Sequence, residues 1–384
     1  MKNIKIFAAF LLFIAAFAGC EQNPDSINGP INKDDFQSLS QKGSNVHAVY
    51  TLSNSAAGNE VIMFKRSGQG TLTNAGSFST GGTGNGAGLG SQGALVLHNN
   101  YVFAVNAGSD EVSALSVGAN GLSLVDKKPS GGIMPISVTA YNNLLYVLNA
   151  GGTGNITGFW IGSDGTLSEI AGSTQPLSSG ASGPAQVEFS PDGSLLVVTE
   201  KAANAISTYL VGGNGIASGP ATQSSAGQTP FGFAFDKRGH IIVSEAFGGG
   251  VLAGAMSSYN VAAGGTSLIT GPIFNTQTAP CWVAVTKNGK FAYTTNTGSS
   301  NISGYKIGND GSLTLFNDGG NTASTGTGSS PLDMAVSNNS QYLYVVSKGT
   351  NTISVFRIDN GHGGLTAVET INGLPASVVG LAGN

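Results

Sequence analysis

Short runs in which apolar and polar residues alternate recur along this chain, and residues 278–313 show the pattern in full. Three alternating runs in this stretch are separated by turn residues: 280–285, 291–295 and 302–307. A period of two predicts β-strands, and the pairs Asn288-Gly289 and Asp310-Gly311 predict tight hairpins between them. A fourth run starts at Ser312. Four antiparallel strands in about 50 residues are the size of one propeller blade.

The same unit occurs seven times between residue 46 and the end of the chain. In the third to seventh copies a proline opens the first strand, and these prolines lie about 50 residues apart: Pro135, Pro184, Pro230, Pro280 and Pro331. The first copy lacks this opening strand, but residues 374–381 near the C-terminus resemble it. We therefore predict an all-β fold, a seven-bladed β-propeller of four-stranded antiparallel blades that is closed by the C-terminal strand joining the first blade.

Composition agrees with many short strands and narrows the classes of function. The chain has 384 residues, 59 of them glycine, and only 9% are charged, which fits many turns and excludes a coiled coil. The net charge of −4 gives no basic surface for nucleic acid. The two cysteines form no zinc motif or disulfide framework, and the four histidines lack zinc-binding spacing. We predict no metal and no cofactor, and we expect a monomer.

The N-terminal segment predicts export and a lipid anchor. Lys2 and Lys5 precede an apolar run over residues 6–17, which is too short for a typical membrane-spanning helix and suits a signal peptide. The run ends in Phe17-Ala18-Gly19-Cys20, which resembles the lipobox of bacterial lipoproteins; an ordinary secretory signal is the alternative. We predict a signal peptide at 1–19, a flexible polar linker at 20–43 with lipidated Cys20, and the propeller at 44–384, anchored in the bacterial cell envelope.

Two sets of positions vary among the repeats where the rest of the pattern is constant. The first set follows the opening prolines, which should place it at the central channel: Ile136 and Ser137, Ala185 and Gln186, Phe231 and Gly232, Cys281 and Trp282, Leu332 and Asp333. The second set ends the second strand of each blade: Asn54, Asn106, Asn149, Glu200, Glu245, Asn296 and Ser347. Asparagine there suits a structural role in the loop. The two glutamates are not explained by turn chemistry.

These repeats resemble the seven-bladed lactonase family, which includes 6-phosphogluconolactonases and carboxymuconate cyclases. The resemblance rests on the proline-led strands, the Pro191-Asp192-Gly193 type of turn and the strand-Asp-Gly-x-Leu pattern, over about residues 46–381. In the family one blade carries Gly-Pro-Arg-His and then Val-Asn-Glu, and those polar residues are implicated in the active site. Here the matching residues are Thr229-Pro230-Phe231-Gly232 and Val243-Ser244-Glu245. Of the polar residues in these motifs only the glutamate, Glu245, is kept, and the missing Arg and His argue against a phosphorylated substrate.

The resemblance implies hydrolysis of a neutral, sugar-type lactone in the central funnel, with Glu245 or Glu200 as general base. The residues expected to bind the ligand are Lys201, Gln186, Phe231, Cys281, Trp282 and Asp333. Two alternatives stay open. Residues 292–305 also resemble the repeats of bacterial surface-layer propellers, so the chain could instead be a non-catalytic module that binds a glycan, a small molecule or a protein. Glu200, Glu245 and Asp333 could also converge on one ion.

Overall fold

The computed structural model describes residues 47–384 and contains 30 β-strands in seven sheets. The predicted signal segment, Cys20 and the whole predicted linker fall within residues 1–46, outside the described residues. A 3-10 helix covers Phe247–Gly249. Among residues 47–384, no helix has the length and apolar character that crossing a bilayer requires.

Each sheet is one blade, and the blades follow the chain. The strands of blades 1 to 3 are β1 (Ala48–Leu52), β2 (Glu60–Arg66), β3 (Leu72–Ser79); β4 (Leu95–His98), β5 (Tyr101–Asn106), β6 (Glu111–Gly118), β7 (Gly121–Pro129); and β8 (Pro135–Tyr141), β9 (Leu144–Asn149), β10 (Asn155–Ile161), β11 (Leu167–Glu169), β12 (Gln175–Pro176). In blade 3 the outer strand is split in two, since β11 and β12 both pair with β10.

The remaining blades repeat this arrangement. Their strands are β13 (Pro184–Phe189), β14 (Leu195–Glu200), β15 (Ala205–Val211), β16 (Ala217–Ser224); β17 (Pro230–Phe235), β18 (Ile241–Glu245), β19 (Ala255–Ala262), β20 (Gly265–Phe274); β21 (Pro280–Val285), β22 (Phe291–Asn296), β23 (Asn301–Ile307), β24 (Leu313–Leu315), β25 (Ala323–Ser324); and β26 (Pro331–Val336), β27 (Tyr342–Ser347), β28 (Thr352–Ile358), β29 (Leu365–Asn372). The last strand, β30 (Val379–Gly383), pairs with β1 and completes blade 1.

The predicted closure of the ring is confirmed. The inner strands β4, β8, β13, β17, β21, β26 and β30 each contact the next, and β30 contacts both β26 and β4. Side chains hold the seam between the chain ends as well: the hydroxyl of Thr51 donates to the carbonyl of Gly380 at 2.7 Å, and Arg66 Nε donates to the carbonyl of Asn384 at 3.1 Å. The pairing of β30 with β1 covers the edge that β1 would otherwise leave unpaired.

Turn glycines join neighbouring blades in addition to shaping the hairpins. Gly215 and Gly363 have φ of 74° and 78°, in the left-handed region that favours glycine. Their carbonyls each accept a 2.7 Å hydrogen bond from a fully buried tyrosine of the preceding blade, Tyr146 and Tyr293 respectively. These turn glycines therefore contribute both to the local turn and to the packing between blades.

Candidate functional site

The inner strands enclose a central cavity of about 570 Å³, lined by residues from all seven of them. We call the end where these strands begin the proline end, and the end where they lead into the next hairpin the turn end. Lining residues at the turn end are exposed, among them Pro191, Lys237 and Lys287. Lining residues at the proline end, such as Gln92 and Asp333, are buried. The cavity is therefore open at the turn end and closed at the proline end.

A segment of the chain itself closes the proline end. The connection from β3 to β4 covers residues 80–94, whereas the other connections between blades have five to seven residues. Its last part, residues 89–93, crosses the axis of the propeller, and we call these residues the plug. Gln92 reaches blade 6, where its amide donates to the carbonyl of Val283 at 2.7 Å and accepts from the Val283 N–H at 2.9 Å.

The other plug residues bind the blades around the axis. Ser91 donates to the carbonyl of Ile136 at 2.8 Å, and the N–H of Gly93 donates to the carboxylate of Asp333 at 3.3 Å. Trp282 donates its indole N–H to the carbonyl of Ser91 at 2.8 Å, and Lys201 donates its ammonium to the carbonyl of Gly90. The N–H of Gln92 also donates to the carbonyl of Ala185 at 3.1 Å. The plug thus bonds to the inner strands of blades 3, 4, 6 and 7, and to Lys201 just after the second strand of blade 4.

The residues predicted to bind a ligand do come together at the proline end. Phe231 and Trp282 lie with ring centroids 4.9 Å apart, and the ammonium of Lys201 lies 4.8 Å from the centre of the Phe231 ring. All three belong to or contact one buried apolar cluster with Cys281. Burial lowers the pKa of Lys201 and raises that of the Cys281 thiol to about 12. The indole N–H of Trp282 and the ammonium of Lys201 bond to the plug and do not point into an open part of the cavity.

Gln186 and Asp333 have a second role, in joining blades. Gln186 donates to the carbonyl of Phe233 at 2.9 Å and accepts from its N–H at 2.7 Å, which couples blade 4 to blade 5. Asp333 accepts from the backbone of Leu381 in blade 1, and burial raises its pKa to about 7. Ser137, at the same place in blade 3, accepts from the N–H of Val187 at 3.2 Å. In blades 3, 4 and 7 the second residue after the opening proline thus bonds to the next inner strand.

Glu245 and Glu200 lie away from the cavity, and both are fully buried. Glu245 accepts from Ser225 (3.0 Å), Gly227 N–H (2.7 Å), Ser257 (2.8 Å) and Tyr259 (3.0 Å). Burial raises its pKa above the ordinary value, although these four donors act in the opposite direction.

The same pattern holds at the equivalent positions of other blades. Glu200 accepts from both the N–H and the hydroxyl of Ser178 and from Ser207 at 2.5 Å. Asn106 and Asn296 contact the equivalent serines, Ser113 and Ser303, but their amide groups donate to the serine hydroxyls. The glutamates therefore make contacts of the kind that asparagine makes elsewhere in the ring. Their catalytic role stays a hypothesis, and it would require these networks to open.

The suggested convergence of Glu200, Glu245 and Asp333 on one ion does not occur. Over residues 47–384, no three His, Cys, Asp or Glu side chains are grouped as a metal site would need.

A family model described as Lactonase, 7-bladed beta-propeller matches residues 153–246 and 255–379, more than half of the chain. The chain belongs to the seven-bladed β-propeller lactonase family. The segment between the two matches includes the 3-10 helix after β18. No curated protein sequence matches the chain significantly.

Solved structures share the lactonase propeller fold at low sequence identity. A putative 6-phosphogluconolactonase from Bacteroides fragilis superimposes with a TM-score of 0.68 at 20% identity, over 88% of this chain and 98% of that one. A protein from Lactobacillus plantarum gives 0.71 at 17% identity, over 88% and 99%. The periplasmic gluconolactonase of Pseudomonas aeruginosa gives 0.68 at 15% identity, over 87% and 99%. At these identities the likeness establishes the fold alone.

The lactonase cavity also holds a titratable group that the sequence reasoning missed. Glu188 lies in the wall formed by β13 and accepts a 2.9 Å hydrogen bond from the amide of Gln186. Burial raises the pKa of Glu188 to about 8, although the nearby Lys287 lowers it. A signal existed in the strand itself, because Glu188 is the charged residue of β13. Lys237 and Lys287 were assigned to hairpin turns, yet both occupy the same turn position in adjacent blades and line the open mouth.

Proposed function

We propose that this lactonase-family propeller hydrolyses a small neutral lactone of sugar type in its central cavity, with Glu188 as general base. The observation that carries the proposal is the carboxyl group of Glu188 in the wall of a cavity of about 570 Å³. A cavity of this size holds a monosaccharide lactone together with water. Family membership supports lactone hydrolysis as the class of reaction.

The environment of Glu188 suits proton transfer near neutral pH. Its pKa of about 8 lies far above the ordinary 4.5, because the walls of the cavity surround the half-buried carboxyl group and disfavour its charged form. A base whose pKa lies near the working pH combines a useful fraction of carboxylate with enough basicity. The amide of Gln186 donates to Glu188 while its other contacts fix it to Phe233, so Gln186 orients the carboxylate.

The reaction follows from that placement. The Glu188 carboxylate takes a proton from a water molecule as the water oxygen bonds to the lactone carbonyl carbon. The ring C–O bond then breaks, and the proton passes from Glu188 to the leaving alkoxide. The product is an open-chain hydroxy acid, and Glu188 returns to its carboxylate form. This sequence needs no cofactor.

We propose further that the substrate carries no phosphate and that the protein is attached to the cell envelope. Where the family resemblance expects Arg and His, Phe231 and Gly232 supply no charge for a phosphate at the proline end. The walls of the cavity combine apolar strand residues with the hydrogen-bonding groups of Thr139, Gln186 and Glu188, as a sugar-like ring requires. The N-terminal sequence supports attachment to the bacterial cell envelope through Cys20.

A lactone panel tests the proposal. Neutral δ- and γ-sugar lactones and one phosphorylated sugar lactone are followed by acid release against spontaneous hydrolysis. We expect Glu188→Gln to lower kcat/KM by at least about 100-fold. Glu169→Gln, at an exposed site on β11, is the matched control and should be unchanged. Loss of activity in Glu245→Gln with full activity in Glu188→Gln would reject Glu188 and favour the base predicted from the resemblance.

The pH profile gives a second readout. Because Glu188 acts as the carboxylate, kcat/KM should rise with pH through about 8. Lys287→Met removes a charge that lowers this pKa, so the midpoint should move upward. A profile that does not change in the Lys287 variant would contradict the assignment.

Non-catalytic binding is the second candidate, and one observation favours it. Both glutamates predicted to be catalytic are sealed in hydrogen-bond networks, and the proline end is filled by the plug. A binding module would show a ligand-dependent rise in melting temperature without turnover. Thermal shifts with the same lactones and with neutral glycans distinguish it from the hydrolase.

A further inference from the structure

The plug fills a place that the propeller's own repeat leaves empty. In blade 4, Gln186 uses its amide to bond both backbone groups of Phe233 in the next blade. The equivalent residue in blade 5 is Gly232, which has no side chain to reach Val283 in blade 6. Gln92 of the plug makes that pair of bonds instead, with the carbonyl and the N–H of Val283. The amide that should come from residue 232 thus comes from the plug.

Gly232 is also what makes room for the plug. A Cβ on Gly232 would overlap Oε1 of Gln92 and would lie 2.6 Å from the carbonyl oxygen of Cys281. Any larger residue at position 232, including the histidine that the family resemblance expects, is therefore incompatible with Gln92 in its present place. The glycine and the plug fit each other and form one feature.

The plug uses the groups that could bind a ligand at this end. The indole N–H of Trp282 and the ammonium of Lys201 both donate to plug carbonyls, those of Ser91 and Gly90. Trp282 is only 6% exposed as a result. At the other end of the cavity, Lys237 and Lys287 are exposed, and no comparable segment of residues 47–384 covers them.

We propose that residues 89–93 are a built-in occupant of the proline-end mouth, so that a ligand enters and leaves the cavity only through the turn end. The proposal rests on the proposed function for its ligand, but the closure itself does not depend on one. In this proposal Lys201, Phe231 and Trp282 hold the plug in place. The residues at the turn end then determine which ligands enter the cavity.

Closure is tested by fluorescence without any ligand. The chain has two tryptophans, so Trp160→Phe leaves Trp282 as the single reporter. In a second variant, residues 80–94 are replaced by the five-residue connection 130–134 of the following blade. Acrylamide should quench Trp282 weakly in the intact protein and several-fold more strongly after replacement. Gln92→Ala, a milder change, should give an intermediate value. Equal quenching in all three proteins would overturn the proposal.

Entry is tested by blocking the turn end. Lys287→Cys in a Cys20→Ser background is labelled with a bulky maleimide, and the unlabelled protein is the control; the buried Cys281 thiol stays unreactive because of its high pKa. Labelling should slow lactone binding at least about 10-fold. Replacing the plug in the labelled protein should restore the rate of binding, because the lactone can then enter through the proline end. Unchanged binding after labelling would refute entry from this end. If no lactone binds any variant, the proposed function fails while the quenching result still decides the plug.

Discussion

Gln92→Ala offers the sharpest test of the energetics at the centre of the ring. The substitution removes the two hydrogen bonds that the Gln92 amide makes to Val283 and leaves both backbone groups of this buried residue without their partner. A buried polar group without a partner costs about 1–3 kcal/mol. Water in the adjoining cavity can bond to part of the backbone left unpaired. Alanine also loses no side-chain entropy on folding, which recovers about 1–2 kcal/mol for the variant. We expect a net loss of about 2–3 kcal/mol.

The matched control is Gln186→Ala. Gln186 makes the same two backbone bonds from within β13, so its loss should lower the free energy of unfolding by a similar amount. Urea denaturation followed by circular dichroism gives both values, and acrylamide quenching of Trp282 separates the variants. Only Gln92→Ala should expose Trp282, because only Gln92 belongs to the plug. Loss below about 0.5 kcal/mol for Gln92→Ala, or equal quenching in both variants, would refute the reasoning.

Four further outcomes follow from the structure. Gly232→Ala should lower the melting temperature, measured by calorimetry, because the new methyl group meets both Gln92 and a backbone carbonyl. Truncation after Asn372 removes β30 and should abolish cooperative melting of the ring, seen by circular dichroism. Native protein should leave Cys281 unlabelled by maleimide at pH 8, whereas denaturant should expose it. Because the pKa of Glu188 is raised in the folded protein, its contribution to the free energy of unfolding is fully present below about pH 4.5 and is lost as the pH rises through about 8. Glu188→Gln should therefore have a higher melting temperature than wild type at pH 9 and not at pH 4.

The fold was predictable because its signals are local. A proline at the start of five inner strands, alternation within strands and Asn-Gly or Asp-Gly between them each report on a few neighbouring residues. The closure by β30 could be predicted for the same reason, since residues 374–381 carry the pattern that the first copy lacks. Split outer strands in blades 3 and 6 were not predicted, because the outermost strand packs on one neighbour and has weak alternation.

The site was predicted in part, and the missing part is long-range. Lys201, Phe231 and Trp282 are brought together as expected, because equivalent repeat positions converge at the axis. What they contact could not be read from the sequence. Residues 80–94 are rich in glycine and have no period, so nothing in them indicates a path across the ring. Glu188 does not stand next to a proline, and the open mouth lies at the opposite end of the inner strands, so the pattern of the prolines does not indicate it.

The fit between Gly232 and Gln92 explains both why the plug crosses the ring and why the open mouth lies at the turn end. A repeat protein repeats its bonds between neighbouring units, so a unit that loses a bonding side chain must regain the bond or lose stability. Here the bond from blade 5 to blade 6 is regained from residues outside both blades, and the segment that supplies it closes one mouth of the cavity. Glycine at position 232, where the family resemblance expects histidine, thus leaves the space that Gln92 needs to close the proline end of the channel. Under the proposed function, the ligand meets the residues facing the turn end, and Glu188, whose pKa burial raises to about 8, is the group that we propose as general base among them.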